Sequence, residues 1–503
     1  MKRLLQQNLV FITSLVIVLA LATLGASAPE KLAAWTTWLH GAIISHFGWC
    51  YLVAAFFFLL FSLGFAFSRY GQIKLGHDHE KPRFSLFGWF SMLFAAGMGI
   101  GLIFWGVAEP MSHYLHPPPY LAGESGDAAK FAMRFAFFHW GFQPWAIYIV
   151  MSLSIAYFSF RRGMPPLISS CFYPLLGSRI HGAAGLFIDT LAVFATVFGI
   201  VTSLGLGAIQ INAGLASVLH LPTGFGTTLA IIALVTVLFL ISSMTGLDKG
   251  IQILSKTNVA LAVLLLAFML AVGPTTMVFN IFTSTLADYL SSLFSMSLST
   301  NPFRGYEWTQ SWTLFYWAWW ISWSPFVGLF VASISRGRTI REFVLGAMLA
   351  PTLLTFVWFS VFGGAAFHLE LQQGAGIAAA VAQDVSTGLF KVYAHYPFSG
   401  ALTLITVLLL VVFFVTSADS ATFVLAMMTS GGLETPSALK KLTWGVTVSA
   451  MAAALLFSGG LEALQRMAIA AALPFTAIML LMCRSLLRGV RYEFRHERTE
   501  SGQ

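Results

Sequence analysis

Residues 309–335 read "TQSWTLFYWAWWISWSPFVGLFVASIS", 27 positions without one charged side chain. A helix needs about 20 apolar residues to cross the hydrocarbon layer of a bilayer. A run of this length and character therefore predicts a membrane span. The rest of the chain follows the same pattern. Of its 503 residues 58% are hydrophobic and 9% charged, where soluble domains carry about a quarter charged.

Working outward from this stretch, twelve apolar segments are predicted: about 9–28, 47–68, 86–108, 132–160, 183–209, 225–243, 251–273, 309–335, 341–366, 397–430, 443–459 and 466–486. The tenth is long enough to contain a bend. A signal-peptide reading of segment one, with Lys2 and Arg3 before it and "GASA" after it, fits less well because its apolar stretch exceeds a usual signal core. The fold expected is an all-α polytopic membrane protein. Cys50, Cys171 and Cys483 match no disulfide or zinc spacing.

The net charge of +8 does not point to nucleic acid, because the charges sit between apolar runs. With twelve spans, 21 of the Lys and Arg residues fall on one side. Lys31, Lys130, Arg134, Arg304, Lys391 and Arg466 are left on the other. Basic residues concentrate on the cytoplasmic side, so both termini are expected there. The connection 274–308 contains "MVFNIFTSTLADYLSSLFSM", whose apolar spacing predicts an amphipathic helix on the outer membrane surface. The end "RSLLRGVRYEFRHER" reads as a helix extension lying against anionic lipid headgroups.

Two segments break bilayer rules. "FAAGMGIGLIFWGVAEP" carries Gly97, Gly99 and Gly101 at alternate positions. Glycine costs about 1 kcal/mol relative to alanine in a helix, which favours unwinding, and unwound backbone in a membrane must be buried or line a wet cavity. Close helix packing of the small-xxx-small kind is the competing account of Gly97 and Gly101. Glu109 and Pro110 are expected to end this helix at the outer surface. In "FFVTSADSATF", Thr416, Ser417, Asp419, Ser420 and Thr422 gather five oxygen-bearing side chains. Such a cluster suits a hard cation such as Na+, although Ser and Thr also bond back to their own helix.

The opening stretch carries Trp317, Trp319, Trp320 and Trp323, with Trp312 as an interface anchor. Tyr316, Trp320 and Trp323 share a helical face; Trp319, Trp323 and Phe326 form a second stripe. "HWGFQPWAIY" adds Trp140, Pro144 and Tyr148 on one face, with Trp145 beside them. A quaternary ammonium has no proton to donate, so aromatic faces are what can hold it, at about 2 kcal/mol or more per desolvated contact. Bulky helix packing is the alternative use of these rings. Together with the glycine break and the hydroxyl cluster, they predict a carrier for such a cation rather than a channel. A membrane enzyme would need converging His or carboxylate groups. The twelve histidines lie mostly in loops or singly, and His139 reads as a packing residue. No nucleic-acid partner and no cofactor are expected.

"GMGIG", "HWGFQPWAIY", "FYWAWWISWSPFVGLFVASISRGRTIREF" and "TSADS" together closely resemble the betaine/carnitine/choline transporter family. The resemblance implies two peripheral helices (1–85 with the N-terminal tail), two inverted five-helix repeats (86–273 and 309–486) joined by 274–308, and a short cytoplasmic tail, 487–503. It also implies a homotrimer in the bacterial inner membrane and alternating access. Trp140, Trp145, Tyr148 and Trp320 would form the ammonium cage beside Gly97, Gly99 and Gly101. Trp323 would serve the cytoplasmic path and Trp319 the outer approach. Ala95, Met98, Phe413, Thr416 and Ser417 would coordinate one Na+. A second sodium site of related carriers uses two threonines a turn apart. Here "FATVFGIVTS" keeps Thr196 but has Ile200, which leaves one Na+ or H+ as the coupling ion. "SKTNVALAVLLLAF" lacks the arginine of sodium-independent exchangers. Choline carriers tend to have aspartate where Gly101 stands, so a zwitterion is expected ahead of choline: glycine betaine first, with carnitine, other betaines and dimethylsulfoniopropionate behind.

Overall fold

A computed structural model of the chain describes residues 2–97, 99–245 and 248–500, with side chains described for all of these except 2–7, 94–97, 245, 248–252 and 496–500. The described elements are helical; the strand-type pairing among them is one isolated bridge, Lys74 with Thr339. The long helices are α1 (Lys2–Ser27), α2 (Pro29–Phe67), α3 (Leu86–Gly97), α4 (Ile100–Leu115), α5 (Gly126–Trp140), α6 (Phe142–Ala156) and α7 (Ala183–Leu219). They continue with α8 (Phe225–Thr245), α9 (Asp248–Val272), α10 (Thr275–Leu298), α11 (Phe315–Ile334), α12 (Ile340–Gln373), α13 (Ser399–Met428) and α14 (Ala438–Glu500).

Among the described residues, ten helices are long and apolar enough to cross a membrane. Their outward faces stay apolar, as with Leu229, Leu234, Val237 and Ile241 along α8, all exposed. Such faces would be an aggregation liability in water and are the expected surface in lipid. The chain is a multi-pass membrane protein. Two features separate this tally from the twelve segments read in the sequence. Segment three is divided into α3 and α4, each too short to count alone. Segments eleven and twelve form one helical run, α14, with non-helical backbone at Gly459 and Gly460. Segment ten is an uninterrupted helix, α13, without the expected bend.

Segment four departs from its expected geometry. The helix breaks at Gly141, between α5 and α6. Pro144 is the third residue of α6, where backbone N–H groups have no intrahelical partner, so its missing N–H costs nothing. Gly141 is needed at the break, because a Cβ there would stand 2.5 Å from the Phe137 carbonyl oxygen and 2.8 Å from Tyr289 Oη.

α10 is the expected helix of the 274–308 connection. It is anchored by Tyr289, which is fully buried, donates to Gln143 and accepts from the Phe142 amide. At the opposite end, the loop 73–84 is laced to 335–340. Leu75 N–H donates to the Arg338 carbonyl and Gly337 N–H to the Leu75 carbonyl, and Arg338 lies 4.1 Å from the Trp89 ring centroid. The C-terminal extension is helical as expected, but part of it docks on protein. Buried Glu493 accepts from Tyr157 and Arg161, and Phe494 packs on Tyr70.

Candidate functional site

Gly99 is extended at the break between α3 and α4 and caps α4. Met98 lies outside the described residues, and for Ala95 and Gly97 only the helical backbone is described. Next to the break, Gly101 lets two tryptophans approach the backbone: a Cβ would meet Trp319 Cη2 at 2.5 Å and Trp140 Cη2 at 3.1 Å. An unwound segment and an aromatic wall therefore meet at one place.

The rings expected to form a cage come together. Trp140 and Trp320 stand 4.9 Å apart at 73°, Tyr148 and Trp320 6.2 Å apart at 79°, and Trp145 and Tyr148 5.6 Å apart at 82°. Trp319 stacks on Trp320 at 4.6 Å. All five are buried, between 2% and 7% exposed, and all line a cavity of about 840 Å³. The upright arrangement presents π faces and edges to a shared space. Trp320 is fixed by its Nε1–H, which donates to the His139 carbonyl at 3.0 Å. Trp323 lies apart from the cage on the same cavity, against Phe326 and donating to the Gly199 carbonyl.

Phe413, Thr416 and Ser417 line this cavity, as do Gly99 and Gly101. Thr416 uses its proton on the Val412 carbonyl, 2.8 Å away, so its lone pairs remain for a cation. Thr196 likewise bonds to Ala192 within its own helix, and Ile200 is buried beside it with no oxygen to offer. From the cage the cavity runs to Arg83 and Glu434, in loops of the Lys- and Arg-rich end, and to Lys441 in the first turn of α14.

Three residues read otherwise in the sequence belong to the back of this cage. Glu109 does not end a helix at a surface. It and Pro110 lie inside α4, and Glu109 is fully buried. His139 is not merely packed: its Nδ1 lies 2.7 Å from Glu109 and its Nε2 2.9 Å from Thr313 Oγ1. His113 joins them with Nε2 3.2 Å from Glu109. Trp312, expected as an interface anchor, packs edge-on against His113 at 4.4 Å. The i, i+4 pair Glu109 and His113 was the available signal. Histidines do converge here, contrary to the sequence reading, but without substrate access of the kind an enzyme needs: all three residues are fully buried and the cavity lining does not include them.

The family question is decided by the whole sequence. The BCCT, betaine/carnitine/choline family transporter, matches residues 9–495. The chain belongs to this family. It is 50% identical over 473 residues to the glycine betaine transporter OpuD of Bacillus subtilis (strain 168), covering 94% of this chain and 92% of that protein. It is 44% identical over 482 residues to the ectoine/hydroxyectoine transporter of Virgibacillus pantothenticus, covering 96% of each. Against the high-affinity choline transport protein of Escherichia coli (strain K12) it is 41% identical over 455 residues, 89% of this chain and 66% of that one. These relatives are transporters, not enzymes. This member of the family keeps glycine at position 101, beside the tryptophan tips.

Proposed function

We propose that the protein is a cation-coupled symporter of trimethylammonium zwitterions, glycine betaine first. The observation that carries this reading is the box of Trp140, Trp145, Tyr148 and Trp320 on a single cavity. Such a box holds a methylated ammonium through π faces, which neither a hydrogen-bond donor nor a metal does. Similarity to a glycine betaine transporter over most of both chains agrees with it. Gly101 leaves no carboxylate beside the onium position, which favours a substrate that brings its own. Choline and carnitine are the alternatives within the same cage. The relative that carries ectoine and hydroxyectoine adds cyclic zwitterions to the candidates.

In this reading Trp140, Trp145, Tyr148 and Trp320 bind the onium group, Trp319 lines the outer approach and Trp323 the inner one. Gly99 supplies the extended point between α3 and α4, with Gly97 and Gly101 on the helix ends beside it. Na+, with H+ as the alternative, sits between Ala95 and Met98 on one side and Phe413, Thr416 and Ser417 on the other. Twelve spans, two peripheral and ten in inverted repeats at 86–273 and 309–486, would place both termini in the cytoplasm. The division of α3 from α4 and the glycine pair in α14 are compatible with that layout. Assembly as a homotrimer in a bacterial inner membrane, in contact with lipid, completes the proposal.

The test is uptake of labelled solutes in carrier-deficient cells, with Na+ replaced by K+ and pH varied. Saturable betaine uptake that needs a sodium or proton gradient is expected. Uptake that ignores both gradients would replace symport by exchange, and a non-saturating flux without counterflow would indicate a channel.

A further inference from the structure

The rings of the cage are not held by packing alone. Glu109 Oε2 accepts from Trp140 Nε1 at 2.8 Å and from Tyr316 Oη at 2.5 Å. Its Oε1 takes His139 Nδ1 at 2.7 Å and His113 Nε2 at 3.2 Å. Four donors on two oxygens use the full acceptor capacity of a carboxylate. Among the described residues no Lys or Arg pairs with it. The two histidines need one proton each for these bonds. His139 Nε2 lies 2.9 Å from Thr313 Oγ1, and His113 Nδ1, buried, meets no partner. With one proton on each imidazole, the cluster carries one negative charge, that of Glu109.

A metal ion does not account for the arrangement. Ligands of a tetrahedral ion at about 2.0–2.1 Å stand about 3.3 Å from one another, whereas Glu109 Oε1 and His139 Nδ1 are 2.7 Å apart, the separation of a hydrogen bond.

The position of this charge is what matters. Trp140 presents its indole to the cavity and its N–H to Glu109. Tyr316 stacks on Trp320 at 5.9 Å and binds the same carboxylate. Glu109 thus stands behind both cage walls, out of reach of any ligand. We infer that Glu109 is the counter-charge of the cage: a positioning residue that holds Trp140 and Tyr316 and, through them, makes the pocket electronegative toward an onium group. This rests on the transport reading above. A carboxylate hydrogen-bonded to an indole N–H pushes electron density onto the ring, which strengthens its attraction for a cation. One indole's width away, about 8 Å, a unit charge at an effective dielectric of about 20 amounts to about 30-fold in affinity.

The experiment compares glycine betaine with its uncharged-head isostere 3,3-dimethylbutanoate, which has the same shape and carboxylate but a quaternary carbon. Binding to the purified full-length protein is followed by tryptophan fluorescence. Wild type should prefer the onium. Glu109→Gln should reduce the preference for betaine over the isostere about 30-fold, since both ligands' carboxylates feel the change alike, while Glu109→Asp, which keeps the charge, should restore most of the preference. His113→Lys, which neutralises Glu109 by an ion pair instead of removing it, should act as Glu109→Gln does, and serves if that variant does not fold. Equal losses for both ligands in the folded variants would make Glu109 structural only and overturn the inference, as would an unchanged preference. A wild-type protein that binds betaine no better than the isostere overturns the proposed function itself.

Discussion

Gly101 lies against Trp319 so closely that a Cβ on the glycine would stand 2.5 Å from Trp319 Cη2. Both partners are rigid, one a helix backbone and the other a stacked indole. Gly101→Ala must therefore displace Trp319, which is sandwiched between Phe315 and Trp320 at 5.6 and 4.6 Å. Overpacking of this kind costs about 1–3 kcal/mol, so betaine affinity should fall about 10-fold or more, read as KM in uptake normalised to surface protein. Gly101→Asp brings the same clash plus a charge. It should not create a choline carrier unless Trp319 is also made smaller, which a choline uptake assay of the single and double variants would check.

Trp320→Ala removes the ring that contacts both Trp140 and Tyr148. Losing one desolvated cation–π face of about 2 kcal/mol corresponds to about 30-fold in affinity. Trp323→Ala, on the same cavity but away from the box, should change betaine binding far less. Equal effects of the two in a direct binding titration would remove the box as the onium site.

How much of this was legible in the sequence differs by residue. Trp319, Trp320 and Tyr316 could be read because helical spacing alone decides which faces they share. Trp140 and Tyr148 converge for a different reason than the one their spacing suggests, since Gly141 breaks the helix between them. Two of the misread residues, Glu109 and His139, are instructive. Glu109 precedes a proline at the end of an apolar run, a local pattern that normally stops a helix. What keeps it inside is His113 four residues on, the one local signal, together with donors 30, 31 and 207 residues away that leave no local trace. Thr313 reaches His139 from the π-type turn Gln310–Leu314, a register shift that no periodicity announces.

Thr416 and Thr196 offer a controlled pair for the coupling ion. Both hydroxyls donate to carbonyls four residues back, at 2.8 and 2.7 Å, but only Thr416 is on the cavity. Removing an oxygen bound to a charged group costs about 1.5–3 kcal/mol. Thr416→Val should accordingly raise the sodium concentration for half-maximal uptake about 10-fold or more, with betaine binding in saturating sodium largely kept. Thr196→Val should shift it by about twofold at most, because its hydroxyl serves its own helix. A sodium dependence untouched by Thr416→Val would exclude this threonine as a ligand.

Glu80 and Arg336 fasten the two loops at the Lys- and Arg-rich end, with contacts of 2.7 and 2.9 Å. The Arg336 guanidinium holds the Glu80 carboxyl down at about 2, against an ordinary 4.5. A depressed carboxyl contributes stability that is fully present above its unfolded value and disappears as pH falls through the folded one. The difference in Tm between wild type and Glu80→Gln should hence be constant from pH 8 to about 5 and vanish toward pH 2–3. Since Arg336 is 46% exposed, the pair is screened, and about 1 kcal/mol or less is expected of it, or about 2 °C or less in a chain of this size. A difference that already changes between pH 8 and 5 would show that another titrating group controls this end. It would also mean that any pH dependence of uptake in the neutral range has to be sought away from the Glu80–Arg336 clasp.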